Sequence, residues 1–383
     1  MNEANTAEKI KNENFLRNLF RQYYSKVSLT VPNIKEREFG YGIFGRKIYA
    51  RHISFNNNGE FNNFLRREGP LFVSYSVARY KMPEARPMEK KQMFASDIVY
   101  EFDADDLKLE CFAKHGDFFC KRCLEATKKE IFKLVEILSN EFSFPEEWMS
   151  INFSGNAGYH LHLRSEFISK LSKRAREEIL NYLTLHGVDL AKHGFDIESG
   201  SLPKLENAYG IKKRLLENLF ELFRDNSEET IERLAALTGS RITTVKKLFS
   251  KGVINAIRES RIIAATNAEK RFWERIFKLL QERTALPLDR QTSIDVYKLI
   301  RVPDTLHGST GFVAKTIPLE ELKEFSPLDS AVVFSERPIK VFIKKAPRFY
   351  LMGNSFGPFE NTLEELPEYA AAYLIGKGVA QLR

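Results

Sequence analysis

Asp103 and Asp105 stand one residue apart at the end of the apolar run Ile98-Val99-Tyr100-Glu101-Phe102. A strand repeats every two residues, so both carboxylates leave the same face. Two fixed carboxylates on one edge can hold hard divalent cations through oxygen, as sites that handle phosphates do. Taken alone, such a pair is more often the solvated end of a strand. Its meaning depends on the other reactive residues in the chain.

The strongest local pattern is Cys111-x3-His115-x4-Cys120-x2-Cys123. Four soft or borderline ligands in so short a span, ending in CxxC, suit a tetrahedral Zn²⁺ with no position left for water, hence a structural ion. The competing readings are unconnected thiols and a CxxC redox pair, and the latter leaves Cys111 and His115 without a purpose. The chain's 3 cysteines all fall in this cluster, which argues against a disulfide framework and for a reducing compartment.

A second pattern is Ser154-Gly155-Asn156-Ala157-Gly158-Tyr159-His160-Leu161-His162. Small residues let the backbone turn sharply and expose N–H groups to phosphate oxygens, while Ser154 adds a hydroxyl. His160 and His162 share a strand face, and His162 reads as a packed histidine and not a ligand. By itself the motif is an ordinary hairpin turn. A third stretch holds Asp289, Asp295, Lys298, Arg301 and His307-Gly308-Ser309. Together with Asp103, Asp105 and the Ser-Gly turn, this stretch supplies metal ligands, phosphate donors and cations, the parts required for nucleotidyl transfer.

These residues need a scaffold. Helical spacing covers 7–27, strands read over Arg46–Phe55 and Leu71–Tyr80, and a helix runs from Leu124 to Phe142. Strands at 149–154 and 158–164 flank the Ser-Gly turn, and 171–187 is helical. The order implies an α+β fold with mixed or antiparallel sheets. The expected organisation is a catalytic core of 1–205 with 284–347, its zinc element at 107–125, a helical insertion at 206–283, and a tail at 348–383 with one helix. Within the insertion, Ser227 to Phe249 forms two short helices with Ser227 and Ser240 as N-caps; a plain helical hairpin fits better than a DNA-reading helix-turn-helix, since no base-reading cluster is evident.

Composition sets the class. With 43% hydrophobic and 29% charged residues, the 383-residue chain reads as globular, and no apolar run suits a membrane span. The N-terminal residues lack the features of a signal peptide, so a cytoplasmic location is expected. The net charge of +8 permits a polyanionic partner without requiring one.

The ordered set REF, YAR, YSVARY, FDADD, the zinc cluster, SGNAGYH and DRQTSIDVYKLIRVPDTLHGSTG resembles the small catalytic subunit of archaeal and eukaryotic DNA primase, nearer the archaeal form. The likeness runs from Arg37 to Lys315 outside most of the helical insertion. It implies a primase-type catalytic core that makes short RNA or DNA primers on single-stranded DNA from NTPs or dNTPs. It also implies a large regulatory subunit as partner and nucleoid association. By this resemblance Asp103, Asp105 and a third aspartate bind two Mg²⁺ or Mn²⁺ ions; counting back from His307 favours Asp289, with Asp295 as alternative. Ser154, Gly158, His160 and His307 are then nucleotide-binding, with Arg301 or Lys298 nearby. Tyr49 and Arg51 match positions that handle nucleotide or template, and Arg79 is a weaker match.

Two departures stand out. Relatives often carry an arginine near Asn156-Ala157, and a lysine where this chain has Ser309. The expectation is weaker nucleotide binding, or compensation by Lys212, Lys213 or Arg301. Glu101 is a third oddity, either a support for the aspartates or an exposed carboxylate, the second being the simpler reading. The alternatives to a primase are a related repair or plasmid polymerase and a non-catalytic zinc-bearing nucleic-acid-binding subunit.

Overall fold

The computed structural model describes residues 3–107, 109–111 and 115–383 and resolves two compact units, one of 133–143 with 177–287 and the other of the remaining chain. The helical unit is wider than the 206–283 expected from composition, because residues 133–143 and 177–205 also pack into it.

The larger unit is built on two four-stranded antiparallel sheets. The first has the order β2-β1-β3-β9, from β1 (Phe39–Ile43), β2 (Arg46–Ile53), β3 (Phe72–Ser76) and β9 (Leu299–Arg301). The short hairpin of β4 (Ala78–Tyr80) with β5 (Met93–Ser96) follows β3. The second sheet has the order β10-β7-β8-β6, from β6 (Ile98–Asp103), β7 (Met149–Phe153), β8 (Gly158–Leu163) and β10 (Thr316–Ile317). β8 pairs on both edges, and its residues are buried throughout, so both of its faces are covered.

The C-terminal residues 348–383 are more than a tail with one helix. β11 (Pro338–Ala346) lies between β14 (Phe359–Pro367) and β15 (Ala380–Leu382), and β12 (Phe349–Leu351) pairs with β13 (Asn354–Phe356). The helix Glu368–Gly376 is apolar nearly all round and buried from Glu368 to Ile375, as expected of a core helix. The N-terminal helix Glu3–Lys26 ties this segment down: Asn12 Nδ2 donates to Ala380 O at 3.2 Å and Asn12 Oδ1 accepts from Leu382 N at 3.0 Å.

The helical unit has its own core around Trp273, which stacks on Phe223 at 5.5 Å and donates to Ile263 O at 2.9 Å. Helices Glu228–Thr238 and Ile242–Ser250 form a hairpin that turns Leu234, Val245 and Leu248 into that core. Ser227 caps the first helix through Thr230 N, but Arg241 and not Ser240 occupies the second cap, without a side-chain capping bond.

Candidate active site

β6 carries Glu101 and Asp103 on one face, and the turn that follows brings Asp105 and Asp106 beside them. The turn closes through Asp106 N donating to Asp103 O at 3.2 Å. Carboxylate oxygens of Asp103, Asp105 and Asp106 lie within 4.8 Å of one another. Strand spacing puts Asp103 and Asp105 on one face, but β6 ends at Asp103, so it is the turn that brings Asp105, and Asp106 with it, beside Asp103. Burial, then the charges of Glu101, Asp105 and Asp106, push the Asp103 carboxyl up to about 7. Such a crowd of oxygens is stabilised by cations, so the donor set fits hard divalent metals.

Asp289 caps the short helix Arg290–Ile294, where its Oδ1 accepts from Gln291 N at 2.7 Å and Thr292 N at 3.1 Å. It is exposed, and its charge helps raise the Asp106 carboxyl, after burial and Asp105. Asp295 sits at the other end of that helix, and its field acts on Arg51 and Tyr80. Glu101 departs from the simpler reading: it is not a free exposed acid but accepts from Lys298 Nζ at 2.7 Å, with its side chain 27% exposed. Lys298 also donates to Val99 O at 3.2 Å, so its charge is committed to β6.

The Ser-Gly turn joins β7 to β8 directly opposite the aspartates. Asp103 faces Gly158 across the ladder, and Glu101 faces His160. Ser154 Oγ accepts from Asn156 N at 3.3 Å and Gly158 N at 3.2 Å, which fixes the loop. Gly155 adopts φ 82° and packs against the His307 side chain, while Thr310 Oγ1 donates to Gly155 O at 2.5 Å. The turn at His307 is therefore locked to the turn at Ser154.

Burial holds His160 down at about 4, and its Nδ1 is buried with no hydrogen-bond partner among the described residues. His307 is held well below its ordinary value by burial and then by Arg301, Lys47 and Lys377, and its Nδ1 accepts from Ser309 N at 3.2 Å. Arg301 is buried with its guanidinium over the Phe72 ring and remains cationic although burial lowers it to about 10. Lys47 at the start of β2 is a further cation, felt by Glu101, Asp103 and His307. His162 packs as expected, its Nε2 2.9 Å from Asn152 Oδ1 and its Nδ1 2.9 Å from Arg164 Nη2.

The remaining sequence matches have partners of their own. Arg51 donates twice to buried Glu38, at 2.7 and 3.2 Å. Tyr49, two residues earlier on β2, is 52% exposed with Arg46 over its ring. Arg79 pairs with Glu36 at 2.5 Å and lies over Phe94. Lys212 and Lys213 are on the helix Ile211–Leu222 of the helical unit.

The cysteine cluster is assembled among the described residues: Cys111 Sγ is 3.3 Å and Cys120 Sγ 3.7 Å from Cys123 Sγ, with His115 Nε2 at 3.4 Å. Zinc–sulfur bonds of about 2.3 Å in a tetrahedron set sulfurs about 3.8 Å apart, so the four ligands fit that ion. Residues 108 and 112–114 of the expected element lie outside the described residues.

Among the described residues no helix is long and apolar enough to cross a membrane. The family of the DNA primase small subunit matches residues 102–318, a span holding the aspartates, the cysteine cluster, the Ser-Gly turn and His307. The "DNA primase small subunit PriS" of Methanothrix thermoacetophila is 31% identical over 97% of this chain and 99% of its own. That of Methanosarcina barkeri is 32% identical over 96% of each chain. With one match over more than half its length and others over nearly all of it, the chain belongs to the DNA primase small-subunit family.

Proposed function

We propose that this chain is the catalytic subunit of a DNA primase, a nucleotidyltransferase that makes short primers on single-stranded DNA. The observation that carries the reading is the acidic cluster at the end of β6 facing the joined Ser154 and His307 turns across one ladder. Metal ligands and phosphate donors then share one site.

Asp103, Asp105 and Asp289 would hold Mg²⁺ or Mn²⁺, with Asp106 beside them. When bound, such ions lower the pKa of an attacking 3′-hydroxyl and offset charge on the departing pyrophosphate. Ser154 Oγ already accepts two N–H groups, so its own hydrogen is available to a phosphate oxygen. The Ser309 N–H on His307 Nδ1 keeps the imidazole proton on Nε2, giving a second neutral donor. His160 offers its unpartnered Nδ1, and Arg301 supplies fixed positive charge. Tyr49 and Arg51 on β2 are assigned to nucleotide or template handling. Zinc at Cys111, His115, Cys120 and Cys123 is structural, and a large regulatory subunit is the partner.

Metal-dependent incorporation of labelled nucleotide by the isolated chain on unprimed single-stranded DNA tests this reading. Product from the parent and none from Asp103→Ala, with both folded and binding template, supports it. Synthesis only from a pre-existing 3′ end would instead indicate a repair-type polymerase, and no incorporation at all a non-catalytic subunit.

A further inference from the structure

The turns that would grip the triphosphate carry no cation of their own, since Asn156, Ala157 and Ser309 are all uncharged. The C-terminal helix ends against both of them. A Cβ on Gly376 would lie 2.9 Å from the Ser309 carbonyl carbon and oxygen and 3.0 Å from Gly308 O, so only glycine allows the helix this close. That contact delivers the next residue, Lys377, to the Ser-Gly turn, where its Nζ lies 3.3 Å from Asn156 Oδ1.

Lys377 does not behave as a solvated helix-end lysine. Its ammonium lies over the rings of Phe119 and Tyr373, 5.2 and 5.6 Å from their centroids. It forms no ion pair among the described residues, and Asp117 is the acid whose field it feels. Its own charge reaches His307 and helps keep that imidazole neutral. A half-buried cation held by one amide oxygen and two ring faces, between two phosphate-type turns, has among the described residues no paired anion, only the field of Asp117, to offset its desolvation.

We propose that Lys377 is a nucleotide-binding residue that contacts the β- or γ-phosphate of the incoming nucleoside triphosphate, restoring from the C-terminal segment the charge absent from the Ser-Gly and His307 turns. The assignment rests on the primase reading above and adds a residue to it. Ala157 is buried, with only 4% exposure, so Asn156 is the position where an introduced arginine has room.

The test uses the full chain, with Mg²⁺, a single-stranded DNA template and varied NTP, reading KM and kcat separately beside thermal melting. Lys377→Gln should raise KM for NTP about tenfold with kcat within about threefold, the pattern of lost ground-state binding. Lys377→Arg should stay near the parent, and Asn156→Arg added to Lys377→Gln should recover most of the lost affinity. If Lys377→Gln melts early, Lys377→Met keeps the stem against Phe119 and Tyr373 and carries the same expectation. An active parent whose KM is unchanged in these variants overturns the assignment of Lys377 and leaves the primase reading standing. A parent without template-dependent product overturns the primase reading first, and the inference with it.

Discussion

Gly158 is the register partner of Asp103, and a Cβ there would fall 1.7 Å from Phe102 O and 2.9 Å from Asp103 Oδ1. The glycine lets the Ser-Gly turn lie directly on the strand that bears the aspartates. Because the obstacle is backbone, no side-chain movement relieves it. Gly158→Ala should therefore cost about 1–3 kcal/mol or more of stability and separate the turn from Asp103. Chemical denaturation and nucleotide incorporation measure the two effects, and an active variant of parental stability would contradict the packing argument.

Asp289 and Asp295 bracket one short helix but face different neighbours, Asp106 in the first case and Arg51 with Tyr80 in the second. Asn caps a helix about as well as Asp, so Asp289→Asn should leave melting unchanged. It should nevertheless lower kcat by roughly a hundredfold or more, the scale of losing a charge-stabilising group at a reacting phosphate. Asp295→Asn should stay within a few-fold of the parent. The reverse order of effects would make Asp295 the third carboxylate.

Much of this arrangement was legible from local pattern. Period-two alternation placed Glu101 and Asp103 on one face, and cysteine spacing alone implied the assembled cluster. The turn was not legible: strand periodicity stops at Asp103, so Asp105 arrives by a different route than alternation implies and Asp106 joins it unannounced. The Glu101–Lys298 pair and the approach of Lys377 to Asn156 link residues far apart in sequence, which no local window contains. The same holds for the strands of the C-terminal segment, whose pairing of β11 with β14 and β15 is fixed by register and not by composition.

The cysteine cluster adjoins aromatic packing: Phe118 lies 5.7 Å from Phe349 and 5.6 Å from Tyr373, ring centre to ring centre. Loss of zinc should loosen that packing as well as the cluster. Cys120→Ser, or a strong chelator, should release about one equivalent of zinc and lower the melting temperature by roughly 5–10 °C. Metal analysis beside a thermal melt checks this. A metal-free chain of unaltered stability would return the cysteines to the status of unconnected thiols.

His162 is buried and uncharged, held well below its ordinary value by burial and then by Arg164, His160 and Arg37. In the unfolded chain it titrates near 6.5, so below that pH the unfolded state binds a proton that the folded state does not. Stability therefore falls as pH drops below about 6.5, at up to about 1.4 kcal/mol per pH unit for this one group. His162→Gln removes that contribution and should flatten the fall in unfolding free energy between about pH 6.5 and 5. An unchanged slope would mean that His162 is already protonated in the fold.

Lys298 and Glu101 offer the last test, because their pair lies beside Asp103 and is only 12% and 27% exposed at its two side chains. Removing the lysine leaves Glu101 partly buried without its paired cation and takes one donor from Val99 O. Lys298→Met should then cost about 1–3 kcal/mol, the range for an orphaned polar group, whereas a solvated surface pair would cost under about 1. Adding Glu101→Gln removes the stranded charge and should return part of the loss. A double-mutant cycle in denaturant measures the coupling, and strict additivity would show that the two side chains do not depend on each other.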